Sequence, residues 1–294
     1  MIMTKNRKCS LICKTLSLSV FAVFLSGAAV IAQRTDAGAE GDEALLALKA
    51  ELDEAGRVWV SSYRQATSDQ ERAELQRNSP HRTFEPRFLA LARNHAGQPA
   101  AMEAVQWLAE TANPGQFFDE GLALVEQHHL NDEGIAKMCR VLVSRRTPEI
   151  ERFLLAVAEK HPSRDVQGLA YLCLARYLKN LHDFARNLQD NPGWLNKVKS
   201  DFGDDVIAWF RAAEPEELSA RVTSVCEQII NEYGDVNDDE YLNSIGERRT
   251  LADAARALDF SLHAVGRIAP KTAGEGVDGS RVDLMDLRGK VVVV

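Results

Sequence analysis

Apolar residues return every three or four positions along most of this chain, and that spacing commits it to helices. Ala101, Ala104, Val105 and Leu108 fall at i, i+3, i+4 and i+7, and so do Ile135, Met138, Cys139 and Leu142. Ile150, Phe153, Leu154, Val157 and Ala158 extend the pattern by another turn. Residues so spaced share one face of a 3.6-residue helix, which must be buried against another element. Start signals agree with the periodicity. Thr147-Pro148-Glu149 supplies an N-cap, a proline at the first helical position and an acid in the first turn. Glu214-Pro215-Glu216-Glu217 has the same form, and Ser163 is placed to cap a helix through Val166, Ala170, Cys173 and Tyr177. No strand-like alternation is read before about residue 277.

Helix starts expected near 100, 119, 132, 147 and 163 give a helix pair about every 30 residues, the spacing of stacked helical hairpins of the TPR or HEAT kind. No signature recurs at a fixed period. The fold class expected is therefore mainly α: an irregular helical-repeat array or a bundle. With 45% hydrophobic residues among 294, and ordinary Gly and Pro content, the chain can build a true core. A net charge of −8 argues against a general nucleic-acid binder, which needs a basic footprint.

The first 32 residues read as an export address. Lys5, Arg7, Lys8 and Lys14 form a positive start, Leu16 to Ala32 is apolar and small, and Val30-Ile31-Ala32 places small residues at −3 and −1. Cleavage is expected after Ala32, with a periplasmic or extracellular destination and no membrane attachment afterwards. An uncleaved anchor is the competing reading, at the short limit for a bilayer span. Loss of the four basic residues takes the net charge from −8 to −12 and removes Cys9 and Cys13. Cys139, Cys173 and Cys226 remain, without a Cys-x-x-Cys among them, so no disulfide framework is implied.

Candidate chemistry between 33 and 262 is sparse. His128 and His129 are adjacent, with Glu126 upstream and Asp132-Glu133 downstream, but neighbouring helical side chains diverge by about 100° and cannot share one metal. A helix C-terminus accounts for them, because imidazole is favourable there. The three cysteines lie on apolar stripes and read as core. Trp59, Trp107, Trp194 and Trp209 read as packing. Residues 201–240 carry twelve acids against Arg211 and Arg221. A calcium ion or a basic partner is one reading of that surplus; a solvated helix face and an acidic loop over Asp235–Glu240 is the one preferred. The spacing excludes an EF-hand. No residue is assigned a catalytic, cofactor-binding or metal-binding role, and no cofactor is expected.

Beyond Ala264 the character changes to Gly, Asp and β-branched residues. Asp278-Gly279 is a hairpin-turn dipeptide between short runs, and Met285-Asp286-Leu287 makes a short turn. Val291–Val294 reads as a strand buried on both faces, hence central in an α/β sheet. This stretch resembles the opening of thioredoxin-like redoxins, the AhpC/TSA and TlpA-type thiol-disulfide oxidoreductases. Gly266-Arg267-Ile268-Ala269-Pro270 matches their Gly-x-x-Ala-Pro start, and Asp278-Gly279 their hairpin. Leu284 to Lys290 matches their Leu-x-x-Leu/Tyr-x-Gly-Lys segment, and Val291–Val294 their Val-rich strand. The helix expected over Arg249–Leu262 resembles the connector of exported redoxins with a helical N-terminal extension.

The resemblance covers about 30 residues. It implies a reactive cysteine soon after the valine strand, activated at a helix N-terminus, yet no Cys follows Cys226. The organisation expected is a signal peptide at 1–32, an α-helical region at 33–262 and an N-terminal fragment of a thioredoxin-like domain at 264–294. The function expected is that of an exported redoxin-family protein whose catalytic centre is absent from this chain. The alternative is an extracytoplasmic helical-repeat binding or scaffold module without enzymatic activity. A protein partner or thiol substrate fits either reading.

Overall fold

The computed structural model describes residues 12–112, 115–194, 204–242, 248–263, 273–275 and 279–287, with side chains from Gly38 onward except at 192, 204–206, 211, 239–242, 248 and 284–285. The architecture is mainly α, with two small antiparallel strand pairs toward the C-terminal end among the described residues. Two compact units divide the chain, Met1–Leu142 and Val143–Val294. Periodicity alone does not mark this division, because both sides of it carry the same helical spacing.

The first unit contains α1 (Ile12–Gln65), α2 (Asp69–Arg77), α3 (Pro80–Asn94), α4 (Pro99–Thr111), α5 (Gln116–His128) and α6 (Ile135–Leu142). Its centre is α4, which contacts α1, α3, α5 and α6. Ala104 and Leu108 of α4 have no exposed surface, nor do Phe88 and Ala92 of α3 and Val125 of α5. The i, i+3, i+4, i+7 set on α4 is thus the buried stripe. Among the described residues no helix is long and apolar enough to cross a membrane. A capping box starts α2: Glu71 N–H donates to Ser68 Oγ at 3.2 Å, and the Glu71 carboxylate accepts from Ser68 N–H.

The second unit contains α7 (Pro148–Lys160), α8 (Arg164–Asp190), a 3-10 turn (Pro192–Trp194), α9 (Asp204–Ala212) and α10 (Pro215–Glu232). Strands β1 (Asn237–Leu242) and β2 (Arg248–Thr250) follow, then α11 (Leu251–His263). Here α8 is the hub, packed by α7, α9, α10 and α11. Helices gathered around one central helix make a bundle. In a solenoid, each pair would meet only its neighbours. The proline-marked helix starts stand where the spacing predicts them, but neither Thr147, Ser163 nor Glu214 makes a side-chain cap bond. At Thr147 the backbone takes another role, its carbonyl accepting from the buried Tyr177 hydroxyl at 2.6 Å.

Strands β1 and β2 correct the expectation of helix throughout 33–262 and of an acidic loop at 235–240. Asn237 pairs with Thr250 and Asp238 with Arg249, and the register shifts before Leu242 opposite Arg248. The segment Asn237-Asp238-Asp239-Glu240 has no apolar alternation, so no pattern announces a strand. Tertiary contacts hold it. The Asp238 side chain is fully buried, 3.3 Å from the Arg176 guanidinium of α8, and Leu251 N–H donates to Val236 O at 2.8 Å. The next helix is capped reciprocally: Asp253 N–H donates to Thr250 Oγ1 at 3.2 Å, and the Thr250 hydroxyl donates to Asp253 Oδ2 at 2.8 Å.

Close approach of α8 to the α10–α11 end depends on Gly168. A Cβ there would lie 2.8 Å from Leu251 Cδ1 and 2.9 Å from Tyr233 Cβ. Glycine to alanine in an exposed helix interior gains about 1 kcal/mol from propensity. At Gly168 the sign should reverse, since overpacking costs about 1–3 kcal/mol. Urea unfolding of Gly168→Ala should show a lower midpoint, and a midpoint above wild type would show that α8 is not held this closely.

At the C-terminal end β3 (Ala273–Glu275) pairs antiparallel with β4 (Arg281–Asp283), Gly274 opposite Val282. Gly279 has φ +77°, a left-handed value that glycine adopts without a Cβ clash. The last paired residues are Glu275 and Arg281, so the connection is longer than a two-residue Asp-Gly turn. Asp278 itself lies outside the described residues. A 3-10 turn at Leu284–Leu287 stands where the short turn is expected. Gly266–Pro270 and Val291–Val294 also lie outside the described residues.

Candidate functional site

Three places combine polar chemistry with a concavity or with burial. The first is a cleft of about 770 Å³ formed by α8, α10 and the end of α11. One face of α8 supplies His182, Asp183, Arg186 and Asp190, while α10 supplies Glu216 and α11 supplies His263. These groups pair largely with one another. Lys179 Nζ lies 2.6 Å from Asp183 Oδ2, and His182 Nδ1 lies 3.0 Å from Asp183 Oδ1. Burial pushes the Asp183 carboxyl up, but the bonds from Lys179 and His182 outweigh it and hold the group below its usual value. Arg186 stands 3.8 Å from Asp190 and 3.6 Å from Glu216, so it balances charge on both sides of the cleft.

At the α11 edge of this cleft, Thr223, Asp259 and His263 form a triangle. The Thr223 hydroxyl donates to Asp259 Oδ1 at 2.7 Å, and its oxygen is 3.2 Å from His263 Nε2, which is 3.7 Å from the same carboxylate oxygen. A nucleophilic triad places the imidazole between hydroxyl and carboxylate, using a different nitrogen for each. Here the hydroxyl and the carboxylate both face Nε2, and the hydroxyl proton goes directly to the carboxylate. The arrangement ties α10 to α11 and does not activate Thr223. Among the described residues no three His, Cys, Asp or Glu side chains converge on a metal position.

The second place is a hollow of about 210 Å³ where α7, α8, α9 and α10 meet. Leu181, Trp209 and Leu218 form its apolar wall, and Glu214 and Glu217 stand on its rim. Glu151 and Arg221, also at this hollow, are paired with each other. The hollow bears on the acidic surplus of 201–240. Several of those acids are consumed internally: Glu216 by Arg186, Asp235 by Arg164 at 2.6 Å, and Asp238 by Arg176. Among the described residues Glu214 and Glu217 make no ion pair, and both are exposed. Glu214 at the N-cap of α10 and Glu217 in its first turn are also favourable to the helix dipole, which places about half a positive charge there.

The third place is the His128-His129 pair. His128 is exposed and His129 is buried, so the two rings diverge as adjacent helical positions require. His129 Nδ1 lies 2.5 Å from Asp132 Oδ2, and Gly97 N–H donates to His129 Nε2 at 3.2 Å. The bond accepted at Nε2 fixes the proton on Nδ1. The imidazole therefore clamps the α3–α4 loop to the turn after α5, and both of its nitrogens are occupied by structure.

Cys139, Cys173 and Cys226 are buried and not joined in disulfides, in accord with their place on apolar stripes. Burial, and secondarily the Asp259 carboxylate, pushes the Cys226 thiol up to about 12. Burial likewise raises the Tyr177 phenol, assisted by Glu151 and Glu149. An acid whose folded-state value is raised binds more protons folded than unfolded at alkaline pH. Its contribution is complete below the unfolded value and is lost as pH rises through the window up to the folded one. Thermal stability should therefore fall from about pH 8.5 upward, where an unfolded thiol ionises, and Cys226→Ala should flatten the first part of that fall. A thiol reagent at pH 8 should label the native chain slowly and the urea-unfolded chain at once. Rapid native labelling of Cys226 would contradict its burial.

The tryptophans serve packing. Trp59 Nε1 donates to Leu75 O at 2.8 Å, Trp107 stacks on Phe88 at 3.8 Å, and Trp194 lies 5.2 Å from Phe184. Trp209 packs on Phe210 at 4.8 Å while also walling the hollow. Sequence reasoning singled out neither the triangle nor the cleft. Asp259 and His263 are an i, i+4 pair legible on one helix, but Thr223 and His182 come from helices distant in sequence. Comparison of the chain with protein-family models, curated proteins and solved structures finds no match.

Proposed function

We propose that this chain belongs to an exported thioredoxin-like redoxin, with residues 33–262 as its helical part and 264–294 as the opening of its redox domain, and that Cys139, Cys173 and Cys226 are inert in thiol-disulfide exchange. The observation that carries the reading is the ordered run of Gly266–Pro270, Asp278-Gly279, Leu284–Lys290 and Val291–Val294. The β3–β4 pair, the positive φ of Gly279 and the 3-10 turn at Leu284–Leu287 support it, because they follow the same order. The buried state of Cys139, Cys173 and Cys226 supports the inert half of the proposal, since exchange needs an accessible thiolate.

Two measurements test it. Sequencing of the locus past the Val294 codon should reveal a cysteine, alone or as Trp-Cys-x-x-Cys, within a few codons of the valine run. A stop codon with no such sequence in any frame would overturn the redoxin reading. Insulin reduction by the 294-residue chain should stay at background, and turnover that is lost on replacement of Cys139, Cys173 and Cys226 would refute the account of inertness.

A second reading, an extracytoplasmic binding module, is favoured by the hollow at Trp209. Its two carboxylates without ion pairs beside an indole suit the cationic side chain of a basic protein segment. Binding of an oligolysine peptide that weakens with salt and is lost in a Glu214→Gln, Glu217→Gln variant would favour this reading. Binding unchanged in that variant would remove it.

A further inference from the structure

We draw no further inference here: the strongest candidate, the cleft formed by α8, α10 and the end of α11 around His182, Arg186, Glu216 and His263, has its charged groups paired with one another, brings no three metal-ligating side chains together, and nothing in the structure shows what occupies it.

Discussion

Asp238→Ala should destabilise the second unit by about 3 kcal/mol, near the lower end of the cost of breaking a buried ion pair from one side. The Asp238 side chain has no exposed surface, and the Arg176 guanidinium that faces it at 3.3 Å is only 23% exposed. Removing the carboxylate takes a buried counter-charge away from a largely desolvated guanidinium. It also loosens β1 where the chain passes from α10 to α11. The lower end applies because Arg176 retains some access to water. Urea unfolding followed by circular dichroism measures the effect, and Asp238→Asn should cost less because its amide oxygen still accepts a hydrogen bond. A loss under about 1 kcal/mol for the alanine variant would place this pair with ordinary surface salt bridges.

Phe88→Ala should cost the first unit about 3–5 kcal/mol, the usual range for removing a buried ring and leaving a cavity. Phe88 has no exposed surface, and its ring stacks on Trp107 with centroids 3.8 Å apart and planes 15° from parallel. Aromatic pairing contributes about 0.5–1.5 kcal/mol beyond burial alone. Phe88→Leu should therefore recover most of the loss but not all of it. Equal stabilities for the leucine variant and wild type would mean that the stacking adds nothing to burial. With Trp107 unstacked on one face, its emission should shift toward the red in the alanine variant.

Helices and their starts are legible because they are local. Pro99, Pro148 and Pro215 stand at the first helical positions of α4, α7 and α10, and the apolar spacing of α4, α6 and α7 is the buried stripe observed. Burial of Cys139, Cys173 and Cys226 follows from the same spacing. Strands β1 and β2 were not legible: the first is written in acids and polar residues, and what holds it is an arginine 62 residues away. The acidic run shows the same limit. Composition registers a surplus of negative charge but does not say which carboxylates meet Arg164, Arg176 and Arg186 and which face solvent. The clamp at His129 was half legible, since Asp132 is close in sequence while Gly97 is 32 residues distant.

The sequence by itself determined that this is a mainly helical chain, where its helices begin, which of their faces are buried, and that residues 264–294 depart from helical spacing. Each of these depends on interactions within a few residues, and neighbours in sequence carry that information. Only the tertiary structure decided that α4 and α8 are hubs of two separate units, that Gly168 lets Tyr233 and Leu251 approach α8, and that Thr223 spends its hydroxyl on Asp259. Those contacts join residues that chain order keeps apart. Their strength comes from burial and from geometry across helices, and neither exists until the helices have packed.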